Sequence, residues 1–364
     1  MGLSSGDSGS EARLSSPEYL RTSLAAAMVL GVRPGRFYRD IKLGCINLLL
    51  TYPDGCRANC AYCGLSRSRP GDFGRKSFIR VDWPTLGTEE MLDRMVSRQS
   101  DIRRVCLSMV THPRAYADTA TLAEIILGRV HRPLSVLIAP SLSDRDHLRE
   151  LRSIGVDISG IGLDAASEQV FERTRGKGVR SPLSPLSPLS WTRYWHVVEA
   201  SRELFGPFKV NVHLMVGIGE SDRELVEMLY RLQDMEVAAY LFPFYPEGGS
   251  RMARRRRPSL VRVRRLQLAK HLIEEERMGI ERIGFDERGR ISHLELPVAV
   301  LDGAISSGIP FLSGGCPDRD GDLVCTRPFG SYRPGEPFRD FPFLPDEEDL
   351  VKVRRELSLP GLLS

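Results

Sequence analysis

A chain of 364 residues, 41% hydrophobic and 27% charged, can bury one large core or two ordinary ones, and its composition excludes a disordered or collagen-like polypeptide. Its 51 Lys and Arg nearly balance 47 Asp and Glu, and a net charge of +4 gives no ground for nucleic-acid binding; at most it suits an acidic protein partner. No stretch approaches the ~18 apolar residues of a membrane span, so no membrane association is expected. The expected compartment is the cytoplasm, where the seven cysteines are ligands or free thiols rather than disulfides.

Residues 1–16 are Ser/Gly-rich and read as a disordered tail. "MGLSSG" lacks the Ser/Thr at position 6 needed for myristoylation. Residues 17–42 read as an N-terminal helical segment around the apolar run 22–32, too short and wrongly flanked for a signal sequence. From residue 43 onward, strand-like runs (45–51, 104–110, 135–140, 158–164, 210–217 and 237–244) alternate with helical patterns near 88–98, 118–130, 143–154, 191–205, 220–235 and 259–278. Six β-then-α units in series predict a parallel α/β sheet curled into a (βα) TIM-type barrel, complete or partial, over 43–309. Such barrels react at the C-terminal ends of their strands. "SPLSPLSPLS" (181–190) interrupts the fourth unit and reads as an extended surface excursion. Four consecutive arginines, 254–257, precede a helix start at Ser259; they read as a solvated loop or as a docking patch for an acidic partner. Residues 310–364 form an extension that carries two cysteines.

Strand parity predicts what lines the barrel. Val105 and Leu107, Ile161 and Leu163, and Val210, Val212 and Leu214 belong to the apolar face that meets the helices. Cys106 and Ser108, Gly160, Gly162 and Asp164, and Asn211, His213 and Met215 then point inward. Ordinary barrels fill that space with Val, Ile and Leu, so this interior is expected to hold a ligand.

"GCRANCAYCG" (55–64) places Cys56, Cys60 and Cys63 in a C-x3-C-x2-C array directly after the first strand, on the reactive rim. Three thiolates neither close a tetrahedral zinc site nor complete a four-Cys iron–sulfur cluster. A [4Fe-4S] cubane held by three cysteines leaves one iron for the amine and carboxylate of a small molecule, and S-adenosylmethionine (SAM) fits. The array, with aromatic Tyr62 before its last cysteine, resembles the signature of radical SAM enzymes. The other reading is a zinc knuckle with a distant fourth ligand.

Two further segments resemble radical SAM enzymes of the biotin-synthase type. "IGLDAAS" (161–167) is similar to that group's fourth-strand segment, which implies that Asp164 holds the SAM ribose; alternatively, Asp164 caps the helix at 167–174. "VGIGES" (216–221) is similar to the fifth-strand turn, which implies that Gly217, Gly219 and Glu220 meet SAM, although Glu220 also reads as a first-turn helix residue. Four cysteines remain, Cys45, Cys106, Cys316 and Cys325, enough for a second cluster. Cys106 stands where biotin synthase has a second-strand ligand, but the third strand has no cysteine and Asn211 occupies the fifth-strand position. The biotin-type ligand set is therefore not available.

The tail resembles that of the two-component, biotin-synthase-like lipoyl synthases through Gly315, Cys316, Pro317, Cys325, Arg327, Pro328, Phe329 and Pro334, with C-x8-C in place of C-x2-C. The resemblance covers about 40–345. It implies an auxiliary Fe–S cluster on Cys316 and Cys325, joined by Cys106 and Cys45, that is consumed as sulfur donor to an octanoyl chain on a lysine of a lipoyl carrier protein or octanoyl-lysyl peptide. It also implies a paralogous lipoyl synthase partner, a reductant such as ferredoxin or flavodoxin, and chemistry carried by cofactors without an acid/base side chain. Cys45 and Cys106 also read as small buried hydrophobes, the tail pair as structural zinc ligands, and His213 as a core histidine or a donor to the cavity. The competing functions are a biotin-synthase-like radical SAM enzyme acting on a small molecule without sulfur transfer, and a non-catalytic zinc protein.

Overall fold

The structure is a computed structural model and describes residues 14–176, 189–330, 332–333 and 336–358. The six apolar runs form six parallel strands: β2 (Cys45–Leu50), β4 (Arg104–Ser108), β5 (Leu134–Ile138), β6 (Ile158–Asp164), β7 (Val210–Val216) and β8 (Ala238–Pro243). Two short strands, β1 (Tyr19–Thr22) and β3 (Thr85–Gly87), extend the sheet to the order β3-β1-β2-β4-β5-β6-β7-β8. Both additions are antiparallel. The order runs between two unpaired edges, β3 and β8, so the barrel is partial.

Helices α2 (Thr88–Ser97), α3 (Ala115–Val130), α4 (Arg145–Ile154), α5 (Glu168–Thr174), α6 (Trp191–Phe205), α7 (Asp222–Asp234) and α8 (Leu260–Glu274) lie between and after the strands. Their starts follow the capping rules. Ser221 and Glu224 form a reciprocal capping box on α7, and Ser259 caps α8. Parity holds where it was expected. Val105, Leu107, Ile161, Leu163, Val210, Val212 and Leu214 are fully buried under the helices. Cys106, Gly162, Asp164, His213 and Met215 are half-buried on the inner face. Among the described residues no helix is long and apolar enough to cross a membrane.

The N-terminal segment differs from its helical expectation. Leu24–Val29 forms the α-helix α1, capped by Ser23, Tyr38–Asp40 is a single 3-10 turn, and Tyr19–Thr22 is a strand. Tertiary pairing overrides the local apolar pattern here, because Leu20 pairs with Leu50 on one side and Leu86 on the other. Order also begins before residue 17. Ser16 is buried, and its Oγ accepts from Thr51 N at 3.0 Å. Residues 1–13 and 177–188, which hold most of both the expected tail and the Ser/Pro/Leu insert, lie outside the described residues. The barrel ends at α8. Residues 283–307, expected within it, form a hairpin of β9 (Ile283–Phe285) and β10 (Ile291–Leu294) and a helix, α9 (Val298–Ser307), that pack on α8 outside the main sheet.

The extension fills the open side of the barrel. Pro317 O accepts from the fully buried Arg104 Nε at 2.5 Å at the start of β4. Thr326 Oγ1 donates to Lys42 O at 3.1 Å ahead of β2. The Arg327 guanidinium lies 3.9 Å over the Phe242 ring on β8. Arg80, in the loop before β3, donates to Phe329 O and Gly330 O at 3.3 Å. The chain then returns past α8 to a final helix, α10 (Glu347–Leu357).

One buried cation braces the loop that follows the cysteine array. Arg21 on β1 is fully buried and donates to Trp83 O at 2.9 Å, Phe73 O at 3.0 Å and Lys76 O at 2.6 Å. Burial lowers its pKa to about 10, which still leaves it charged at neutral pH. Arg21→Met keeps the aliphatic bulk and strands the carbonyls of Trp83 and Lys76, while Phe73 O keeps its bond from Lys76 N at 3.1 Å. At about 1–3 kcal/mol for each buried group left unpaired, the expected loss of stability is about 2 kcal/mol or more, read as a lowered urea midpoint at an unchanged slope.

Candidate active site

The cysteine array is a loop wound against its neighbours by the backbone. Gly55 takes φ +71°, and a Cβ there would lie 2.9 Å from the Phe73 ring. Arg57 N donates to Thr111 O at 2.7 Å beyond β4, Ala61 N to Thr174 O at 2.8 Å at the end of α5, and Arg67 N back to Ala58 O at 3.2 Å. A Cβ on Gly64 would come within 2.3 Å of Ser77 O, so only glycine fits directly after Cys63. Cys60 is buried and Cys56 and Cys63 are half-buried. Burial raises the pKa of all three thiols, most strongly at Cys63, and the Arg175 charge acts against it. Metal ligation there must displace protons.

Asp164 ends β6 at φ +64°, beside a register shift between Gly162 and Asp164. Its carboxylate accepts from the Tyr62 hydroxyl and from Arg175. Two residues picked out separately in the sequence, one beside the array and one on the fourth parallel strand, therefore meet. The capping alternative for Asp164 is not realised, because Ser167 stands at the N-cap of α5. Arg175 was not anticipated. It follows α5, donates to Tyr62 Oη at 3.1 Å and to Gly162 O, and lies 5.1 Å from the Tyr194 ring. Burial opposes its charge, but Tyr194, Tyr62, Cys60 and Asp164 outweigh that and raise its pKa. No local pattern marks an arginine at a helix end as a site residue; its role exists only once β6 and the array come together.

The turn after β7 is held by bonds of its own. Glu220 directs its carboxylate at its own loop, accepting from Gly217 N at 2.6 Å and from Ile218 N and Gly219 N at 2.9 Å, and pairs with Arg262 at 2.8 Å. Its oxygens are thereby engaged inside the protein. Gly217 and Gly219 have φ +110° and +135°, and a Cβ on Gly217 would press on Pro258 at 2.9 Å. The packing of this turn is thus sufficient reason for the two glycines and Glu220.

The four remaining cysteines meet in one pocket. Cys45 opens β2 and Cys106 lies mid-β4, while Cys316 and Cys325 come from the extension. Cys45 and Cys325 are neighbours, with Asn47 Nδ2 beside both sulfurs, and Cys325, Cys106 and Cys316 are close enough for their charges to be felt at Cys45. The contact with Cys45 lowers the pKa of Cys325, aided against burial by Arg327, whereas the same contact and burial raise that of Cys45. Burial raises Cys106 to about 11 and Cys316 to about 12. Amide groups surround the sulfurs. Asn47 Nδ2 lies 3.7 Å from Cys45 Sγ and 4.0 Å from Cys325 Sγ, and Asn211 Nδ2 lies 3.5 Å from Cys316 Sγ. The lengthened spacing between the tail cysteines is taken up by a small hairpin. Pro317 bridges to Leu323, Asp318 N donates to Asp322 O at 3.0 Å, and Arg103 pairs with both carboxylates. The chain then doubles back so closely that a Cβ on Gly315 would lie 2.7 Å from Cys325 Cβ. Among the described residues, no three Cys, His, Asp or Glu side chains converge on a single-ion site.

His213 lies half-buried on β7 and feels the charges of both Arg327 and Arg175. Burial first, then those two cations, lower its pKa to about 3, so it is a neutral ring at physiological pH. It packs 4.7 Å from Phe242 and 6.0 Å from Tyr240.

The sequence model of the Radical SAM superfamily matches residues 50–232, just over half of the chain. The chain is a member of the radical SAM superfamily. Membership implies a [4Fe-4S] cluster and SAM, and the donor set fits: three thiols sit on one loop after the first parallel strand, with a carboxylate, a phenol and a guanidinium beside them. No curated protein matches the sequence. Among solved structures, the radical SAM chain is similar to methylornithine synthase PylB at 13% identity, covering 93% of this chain and 86% of that one, with a TM-score of 0.48. It is similar to the FeFe-hydrogenase maturase HydG from Carboxydothermus hydrogenoformans at 18% identity, covering 93% and 71%, with a TM-score of 0.49. SuiB from Streptococcus suis gives 13% identity over 66% and 48% of the two chains, with a TM-score of 0.45. These likenesses assign no substrate and no reaction.

Proposed function

We propose that this radical SAM enzyme is a sulfurtransferase of the lipoyl-synthase type, inserting sulfur into an octanoyl chain amide-linked to a lysine of a lipoyl carrier protein, alongside a paralogous lipoyl synthase. The observation that carries the reading is the four-thiol pocket, built from two strand cysteines and two tail cysteines on the inner side of the sheet. Four thiolates are the donor set that a second, sulfur-supplying cluster would need, and the amides of Asn47 and Asn211 beside them would hydrogen-bond its sulfurs.

In this reading Cys56, Cys60 and Cys63 hold the SAM cluster, and Cys45, Cys106, Cys316 and Cys325 hold a second one. The cofactors supply the chemistry: reductive cleavage of the SAM C–S bond, hydrogen abstraction from the octanoyl chain, and sulfide as the sulfur source. The protein's share is placement. Asp164 presents carboxylate oxygens that now accept from Tyr62 and Arg175 and would accept equally from the two ribose hydroxyls of SAM. Arg175, close to both Cys60 and Asp164, neutralises negative charge between the array and the nucleoside. Neutral His213 packs with Tyr240 and Phe242 on the inner face without offering a charge that would have to be desolvated. The extension, laid across the open side, excludes water from a reaction that would otherwise be quenched.

The deciding experiment is anaerobic incubation of the reconstituted enzyme with SAM, dithionite and an octanoyl-lysyl peptide, read by mass spectrometry. Sulfur-bearing peptide is the expected product. Formation of 5′-deoxyadenosine with the peptide unchanged overturns the reading and favours an enzyme acting on a small molecule without sulfur transfer.

A further inference from the structure

We propose that the arginine-rich loop 251–257, together with Arg67, is the docking surface for a small acidic one-electron-transfer protein that delivers electrons to the cluster on Cys56, Cys60 and Cys63. This rests on superfamily membership alone and is independent of what the enzyme does with its substrate.

The loop is tied to the cysteine array by direct bonds. Met252 N donates to Ala61 O at 3.0 Å, and the Arg251 guanidinium to Asn59 O at 3.3 Å, both between Cys56 and Cys63. Arg67, on the other side of the array, bonds to Ala58 O. Arg255 Nε donates to Gly217 O at 2.7 Å, fixing the loop to the turn after β7. Internal turns, Ala253 N to Ser250 O at 3.1 Å and Arg255 N to Met252 O at 3.0 Å, hold its shape. A merely solvated run of arginines has no reason to be anchored so closely to one functional loop.

The charge is local. Arg254–Arg257 carry four positive charges, as many as the net charge of the whole chain. Arg257 is partly answered by Glu336 at 3.0 Å. Arg67, Arg254 and Arg256 are exposed and have no acidic partner among the described residues. Consecutive like charges repel each other, and an acidic partner relieves that repulsion on docking. The position also suits electron transfer, because Cys56 and Cys63 are only half-buried, so a protein seated on the rim is separated from the cluster by little polypeptide. In the docked pair one electron leaves the donor and one enters the cluster, with no bond or proton moved. An acidic carrier protein is the other candidate for a basic rim. It is disfavoured because the loop bonds directly to the cysteine array, through Met252 N to Ala61 O and Arg251 to Asn59 O.

The test uses Arg254→Glu/Arg256→Glu in the reconstituted full chain, with flavodoxin as the probe. The second-order rate of cluster reduction by flavodoxin hydroquinone, followed by absorbance without SAM, is expected to fall about 10–100-fold at low salt and to lose most of its dependence on ionic strength. Flavodoxin binding by calorimetry should weaken in parallel. Dithionite-driven 5′-deoxyadenosine formation should be unchanged, which also shows that the variant is folded and loaded. Three results overturn the proposal: flavodoxin reduction at the wild-type rate, an equal fall in the dithionite-driven reaction, or a raised KM for an octanoylated lipoyl carrier domain with donor kinetics intact.

Discussion

Cys60→Ala is expected to reduce 5′-deoxyadenosine formation to the level of a reaction without enzyme. Cys60 is the central thiol of the array and the most buried of the three. A cubane with two protein thiolates in place of three is neither firmly held nor left with a single iron for SAM. Loss of even an outer partner of a metal ligand costs about 10–100-fold in affinity or activity, so loss of a ligand should cost at least about 100-fold. Iron in the reconstituted chain should drop from about eight atoms to about four, the remainder held by the second thiol group. Deoxyadenosine formation at the wild-type rate from this variant would remove the basis for placing the SAM cluster on this loop. Cys60→Ser serves as the companion variant, since it preserves volume in a buried position and separates ligand loss from misfolding.

The second large effect separates the two halves of the reaction. In Cys316→Ala/Cys325→Ala, SAM cleavage should persist within a few-fold of wild type, because neither residue touches the array, Asp164 or Arg175. Sulfur insertion into an octanoyl-lysyl peptide should fall at least about 100-fold, on the same reasoning about lost ligands. Iron should again approach about four atoms per chain, this time on the SAM site. Continued sulfur insertion by this variant would sink the auxiliary-cluster reading. Wild-type iron content in the variant would show that Cys316 and Cys325 ligate no iron.

The sequence carried much of the fold because strand periodicity and turn residues are local signals. The six parallel strands fall where alternation put them, and the inner and outer faces follow from side-chain parity alone. β1 and β3 were not legible. Each is three or four residues long, and their pairing is decided by Leu50 and Leu86, far away in sequence. The hairpin and helix after α8 carry the same kind of local pattern as barrel elements, so only the observed strand order separates them from the barrel.

The site divides in the same way. The array of Cys56, Cys60 and Cys63 is written in eight consecutive residues, and its chemistry follows from counting thiolates. Its companion Asp164 was indicated by resemblance, and the structure adds that it reaches Tyr62. Arg175 could not be found from the sequence, since its contacts come from three separate segments that only the fold brings together. Glu220 shows the reverse case, a motif residue whose carboxylate proves to be spent on its own turn. The gathering of Cys45, Cys106, Cys316 and Cys325 likewise belongs to the tertiary structure. A spacing of eight residues between the tail cysteines gives no distance, and it takes a hairpin held by Arg103, and Arg104 gripping Pro317 O, to return them to the strands. Composition and periodicity thus determine which atoms can do chemistry and on which face they stand. The distances between those atoms are set by long-range packing of the tail across the sheet, which no local pattern encodes.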